Sequence, residues 1–146
     1  MEPMEMLHYV DHTQLKAFAC WEDIETLCEE AIRYQTASVC IPPAYIARVH
    51  EKYQDTLNIC TVVGFPLGYS VTEAKVAETK KALEDGANEI DMVINISDVK
   101  NKDFDKVEKE IAELKKTVGD KILKVIIETC YLTDDEKIAM CKAVTN

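Results

Sequence analysis

The chain has 146 residues, 47% hydrophobic and 30% charged, with no long biased tract. Those proportions describe a single globular domain over residues 1–146, able to bury about 70% of its unfolded surface, and exclude intrinsic disorder or a collagen-like chain. Seventeen Lys and Arg against 27 Asp and Glu give a net charge of −10, the wrong sign for neutralising nucleic-acid phosphates or anionic lipid. No apolar stretch is long enough to cross a bilayer. The start, Met1-Glu2-Pro3-Met4-Glu5, is acidic where a secretory signal is basic and then apolar. The expectation is a cytoplasmic protein with neither nucleic acid nor membrane as partner.

Two kinds of segment alternate along the chain. Apolar runs rich in Val, Ile or Cys predict strands over 7–10, 38–41, 57–63, 89–94 and 122–127. Patterns of three- and four-residue spacing predict helices over 21–34, 43–53, 70–85 and 103–118, and from 133 to at least 143. Ser70 with Glu73, and Thr133 with Glu136, are capping-box candidates, and Gly86 suits a left-handed helix stop. In the fourth predicted helix Phe104, Val107, Ile111, Leu114 and Val118 form one apolar stripe among mixed charges. Lys75, Lys80 and Lys81 on the third read as a solvated face.

The six cysteines, Cys20, Cys28, Cys40, Cys60, Cys130 and Cys141, contain no CxxC pair and lie in apolar or helical patterns. They read as buried thiols rather than as a disulfide framework. With His8, His12 and His50 they make only a thin set of metal ligands, so no metal site is expected.

Five strand and helix units in succession predict an α/β fold with parallel strands. Length favours an open five-stranded sheet. Yet the predicted strands recur about every 29 residues, and eight such units come to about 230, the size of a closed barrel. The chain therefore also fits about five βα units of a (β/α)8 barrel. Two charged residues stand inside apolar strands: Asp91 in Glu89-Ile90-Asp91-Met92-Val93-Ile94-Asn95 and Lys124 in Ile122-Leu123-Lys124-Val125-Ile126-Ile127. An unpaired buried charge is costly, and neighbouring parallel strands would bring these two within pairing range. They form either a structural ion pair or a tunable acid and base near a barrel's mouth.

Five segments, in order, carry a resemblance: Asp11-His12-Thr13-Gln14-Leu15-Lys16, Gly64-Phe65-Pro66-Leu67-Gly68, Glu73-Ala74-Lys75-Val76-Ala77-Glu78-Thr79, Gly86-Ala87-Asn88-Glu89-Ile90-Asp91-Met92-Val93-Ile94-Asn95 and Leu123-Lys124-Val125-Ile126-Ile127-Glu128-Thr129. Together they resemble the deoxyribose-phosphate aldolase family, with Gln14 where Leu is usual and Asn88 where Asp is usual. The resemblance implies a class I aldolase on a partial TIM (β/α)8 barrel, a lyase that needs no cofactor or metal. Its substrate would be a small phosphorylated sugar, 2-deoxy-D-ribose 5-phosphate, cleaved reversibly to acetaldehyde and D-glyceraldehyde 3-phosphate through a lysine Schiff base.

By the same resemblance Asp91 matches a proton-relay aspartate and Lys124 its pairing partner, while Asp11, Leu15 and Cys40 match residues around the substrate. The family's Schiff-base lysine belongs to a sixth strand and a second active-site lysine to a seventh, with glycine-rich phosphate loops after strands six to eight. No counterpart of these occurs before Asn146, where the sequence stops within its fifth predicted helix. Lys124 is a poor substitute, since Asp91 favours its ammonium form. The chain is thus expected to be inactive alone. It is also expected to form a homo-oligomer or to self-associate through the exposed edges of its first and fifth strands and through interior residues such as Val93 and Ile126. The alternatives are a non-catalytic half-barrel and a flavodoxin-like binding domain. The latter would want paired acidic residues or a hydroxyl-rich loop after the first strand, where Asp11-His12-Thr13-Gln14 stands.

Overall fold

The computed structural model describes residues 3–145, so Met1, Glu2 and Asn146, the stopping point noted above, lie outside the described residues. Its elements run α1 (Pro3–Leu7), β1 (Asp11–Thr13), α2 (Trp21–Tyr34), β2 (Ser38–Ile41), α3 (Ile46–Tyr53), β3 (Ile59–Val63), α4 (Thr72–Glu84), β4 (Glu89–Val93), α5 (Ile96–Lys100), α6 (Phe104–Val118), β5 (Ile122–Ile126) and α7 (Asp134–Thr145). Among the described residues the strands form one five-stranded sheet in chain order, β1-β2-β3-β4-β5. β2 lies between β1 and β3, parallel to both, with Thr13 opposite Cys40 and Cys40 opposite Cys60. A flavodoxin-like sheet would instead place its first strand between the second and third. That alternative is excluded by the topology.

Residue contacts divide the chain into two compact units, Met1–Val62 with Ala82–Glu89, and Val63–Lys81 with Ile90–Asn146. In the first, Ile24, Leu27, Cys28 and Ala31 recur at helical spacing on α2 and are buried. Every residue of β2 and β3 is also buried, as expected for parallel strands with both faces covered. Asn88 ties the start of β4 to β3 twice: its N–H donates to Ile59 O at 2.7 Å and its Oδ1 accepts from Ile59 N at 2.9 Å. Asn88 thus closes a two-point link between the strands. α4 stops as the sequence predicts, with Gly86 at φ +111° and its N–H donating to Leu83 O.

In the second unit the predicted apolar stripe of α6 is present, with Val107, Ile111, Leu114 and Val118 buried. α7 begins at the capping box foreseen in the sequence. Thr133 N–H donates to Glu136 Oε2 at 2.8 Å and Glu136 N–H donates to Thr133 Oγ1 at 3.3 Å. β4 and β5 are linked by Ile94 N–H donating to Ile126 O at 3.2 Å.

Four expectations are corrected. The first strand is not 7–10 but Asp11–Thr13: Leu7 ends α1, and Tyr9 and Val10 lie in the following turn with exposed side chains. Register with Ser38–Cys40, rather than local apolar content, fixes the strand. Ser70 does not cap α4, which begins at Thr72, and its buried Oγ makes no hydrogen bond. Val93 is buried rather than exposed, because the turn at Gly68 packs on it; a Cβ there would meet Val93 Cγ1 at 2.9 Å. Finally, the cysteines are not uniformly buried. Cys20, Cys130 and Cys141 are exposed, and none of the six forms a disulfide.

Candidate active site

Asp91 and Lys124 sit on β4 and β5, and the structure brings them together. Lys124 Nζ lies 3.2 Å from Asp91 Oδ1, with the aspartate side chain 16% and the lysine 35% exposed. The contact is an ion pair whose angle falls outside hydrogen-bond geometry, so the buried Oδ1 keeps its acceptor capacity uncommitted. A half-buried carboxylate beside an ammonium is a pair able to hold and hand over a proton. Two residues beyond the end of β5, Glu128 takes a left-handed conformation at φ 52° before the turn at Thr129–Tyr131. Such a conformation costs a non-glycine residue about 1–3 kcal/mol and concentrates at working sites.

Asp11, Leu15 and Cys40 belong to the first unit, Asp11 on β1 and Cys40 on the neighbouring β2. Asp11 Oδ1 accepts from Ser38 Oγ at 2.7 Å, which fixes its carboxylate at the start of β1. Leu15 is half-buried against Cys40, Cys60 and Val62. Cys40 itself is 3% exposed. The two histidines spaced four apart do not converge on a common point. His8 Nδ1 pairs with Gln35 O at 2.7 Å and His12 Nε2 with Glu30 Oε2 at 2.8 Å.

One feature of the second unit escaped the sequence reading. Lys75, expected on a solvated face, is fully buried; only Lys80 and Lys81 of that trio are exposed. Its Nζ donates to Glu110 Oε1 at 2.6 Å and to Val93 O at 2.8 Å, and Glu110 Oε2 accepts from Thr72 Oγ1 at 2.8 Å. The physical reason is the pitch of α4, whose inner face carries Lys75, Thr79 and Ala82, all buried. Gly64, at φ +63°, lies over the lysine stem, where a Cβ would come within 2.8 Å of Lys75 Cε. Its N–H donates to Glu78 Oε2 at 2.9 Å. A cleft of about 480 Å³ opens beside this turn, lined by Phe65, Leu67, Tyr69, Ser70 and Glu78 among others.

The family described as DeoC/LacD family aldolase matches residues 5–144. The chain is 70% identical over 145 residues to a deoxyribose-phosphate aldolase of Clostridium botulinum (strain Alaska E43 / Type E3), covering 99% of this chain and 66% of that relative. Among solved structures it is similar to a putative deoxyribose-phosphate aldolase from Coccidioides immitis, with a TM-score of 0.95 and 38% identity over 99% of this chain and 57% of that one. It is also similar to the deoxyribose phosphate aldolase from Aeropyrum pernix, described as a tetramer, with a TM-score of 0.85 and 26% identity over 99% of this chain and 61% of that one. The chain therefore belongs to the DeoC/LacD aldolase family, a family of lyases, and has the parallel α/β architecture of part of its barrel. It spans about two thirds of the length of the bacterial relative named above, 66%.

Proposed function

We propose that this chain carries the acid–base pair of a deoxyribose-phosphate aldolase site and does not by itself carry the amine that forms the Schiff base. The observation that supports this is the Asp91–Lys124 contact at 3.2 Å, in the fourth and fifth of the motifs that match the family. The reaction is the reversible cleavage of 2-deoxy-D-ribose 5-phosphate into acetaldehyde and D-glyceraldehyde 3-phosphate. A lysine amine condenses with the sugar carbonyl, losing water, and the protonated imine draws the electrons of the breaking carbon–carbon bond. In that cycle Asp91 relays protons and Lys124 holds its charge, with Asp11, Leu15 and Cys40 beside the substrate.

Both lysines in question are committed to other work. An adjacent carboxylate favours the ammonium of Lys124, which has no lone pair to offer a carbonyl. Lys75 is closed off from any aldehyde by its burial and its two acceptors. Self-association is part of the same proposal: all of β5 is exposed or half-buried, with Ile122 51% exposed, and β5 is the last strand in the order of the sheet. Among the described residues no helix is long and apolar enough to cross a membrane, and thiols without disulfides fit work in the reducing cytosol.

Substrate binding and turnover measured together test the reading. On adding 2-deoxy-D-ribose 5-phosphate to isotope-labelled chain, NMR signals of Asp91 and Lys124 should shift while no glyceraldehyde 3-phosphate accumulates. Steady product release, or shifts confined to surface residues away from β4 and β5, would contradict it.

A further inference from the structure

Resting on the reading of Asp91 and Lys124 as the acid–base pair, we propose that Lys75 is a positioning residue that, with Glu110, sets the spacing of that pair by clamping the Val93–Ile94 peptide. The peptide is gripped at both ends. Its carbonyl accepts from Lys75 Nζ at 2.8 Å, and its N–H donates to Ile126 O on β5 at 3.2 Å. A trans peptide points its oxygen and hydrogen in opposite directions, so the lysine and β5 hold one rigid plane between them.

That plane is next to the pair. Val93 lies two residues beyond Asp91, and Ile126 two beyond Lys124, so on each strand the gripped position is the next one on the same face, about 6.6 Å along. The clamp cannot easily loosen. Glu110 engages both carboxylate oxygens, one with Lys75 and one with Thr72, and Gly64 lies against the lysine stem from above. Gly68 then crosses so near to the same strand end that a Cβ there would stand 2.0 Å from Ile94 O. A buried ion pair confers little stability over well-packed apolar residues of the same volume, so its use here is geometric.

The test uses the 146-residue chain with Lys75→Met/Glu110→Met, which removes both charges and leaves neither orphaned. Amide exchange at Ile94 should become about tenfold faster relative to α6 amides, the loss of one hydrogen bond on that peptide. The Lys124 side-chain NMR signals should move in the direction that Asp91→Asn moves them. If Asp91→Asn moves Lys124 but the double variant leaves both Lys124 and Ile94 unchanged, the clamp is overturned and the acid–base reading stands. If Ile94 alone responds, Lys75 is structural and the positioning role is overturned. If Asp91→Asn leaves Lys124 unmoved, the acid–base reading fails and the proposal falls with it. Should the double variant not fold, Lys75→Gln/Glu110→Gln provides the same comparison, because it too removes both charges and replaces the Lys75 ammonium by an amide one bond shorter.

Discussion

Replacing Lys75 alone exposes what its burial implies energetically. Lys75→Met keeps the stem's volume but strands the Glu110 carboxylate, 7% exposed, and deprives Val93 O of its donor. Breaking a buried pair from one side costs about 3–5 kcal/mol. The unsatisfied carbonyl adds about 1–3 kcal/mol.

The expected loss is therefore about 4–8 kcal/mol at pH 7. Lys75→Met/Glu110→Met has no stranded charge and should lie within about 2 kcal/mol of wild type. Urea unfolding of the four members of this cycle at pH 7 measures all of this. A single-variant loss below about 1 kcal/mol, or a double variant as unstable as Lys75→Met, would refute the reasoning.

Glycine positions supply a contrast: Gly68→Ala puts a Cβ 2.0 Å from Ile94 O and should lower stability by about 3 kcal/mol or more, whereas Gly119→Ala, at φ 62° and ψ −125° but with nothing within 4 Å, should cost only the backbone strain of that conformation, about 1–3 kcal/mol. Thermal melts of the two variants compare them directly. Thr133→Ala removes the hydroxyl that caps α7 and should cost about 1 kcal/mol by urea unfolding, with faster amide exchange confined to the first turn of that helix. Burial pushes the Cys28 thiol from 9.0 up to about 11, so between those values the unfolded chain has released a proton that the folded chain keeps. Stability should fall across that window by about 1.4 kcal/mol per pH unit, and a thiol reagent at pH 8 should label Cys130 and Cys141 well before Cys28.

Most of the frame is legible in the sequence because it depends on periodicity. β2 matches its predicted bounds, as does α2, whose inward residues repeat at helical spacing. β1 is missed because its three residues, Asp11, His12 and Thr13, are polar. They are strand only by virtue of pairing with Ser38–Cys40, which no local pattern reveals. Asp91 and Lys124 stand out because each interrupts an apolar strand.

Lys75 and Glu110 are hidden for the opposite reason: on a helix a charged residue passes for surface. A signal was nevertheless present. Lys75 is four residues before Thr79 and seven before Ala82, and Glu110 is four before Leu114, so both fall on faces that their helices bury. Two opposite charges on inward faces of neighbouring segments predict each other.

The most direct test of the central claim is reductive trapping. The native chain is incubated with acetaldehyde and a mild borohydride, and adducts are located by mass spectrometry against a denatured control. Slow, scattered labelling of exposed lysines such as Lys80 and Lys81, with Lys75 and Lys124 spared in the native chain, is the result expected when these residues supply the acid–base pair and not the nucleophile. A single fast adduct at Lys124, seen only in the native chain, would contradict it and make Lys124 the Schiff-base amine.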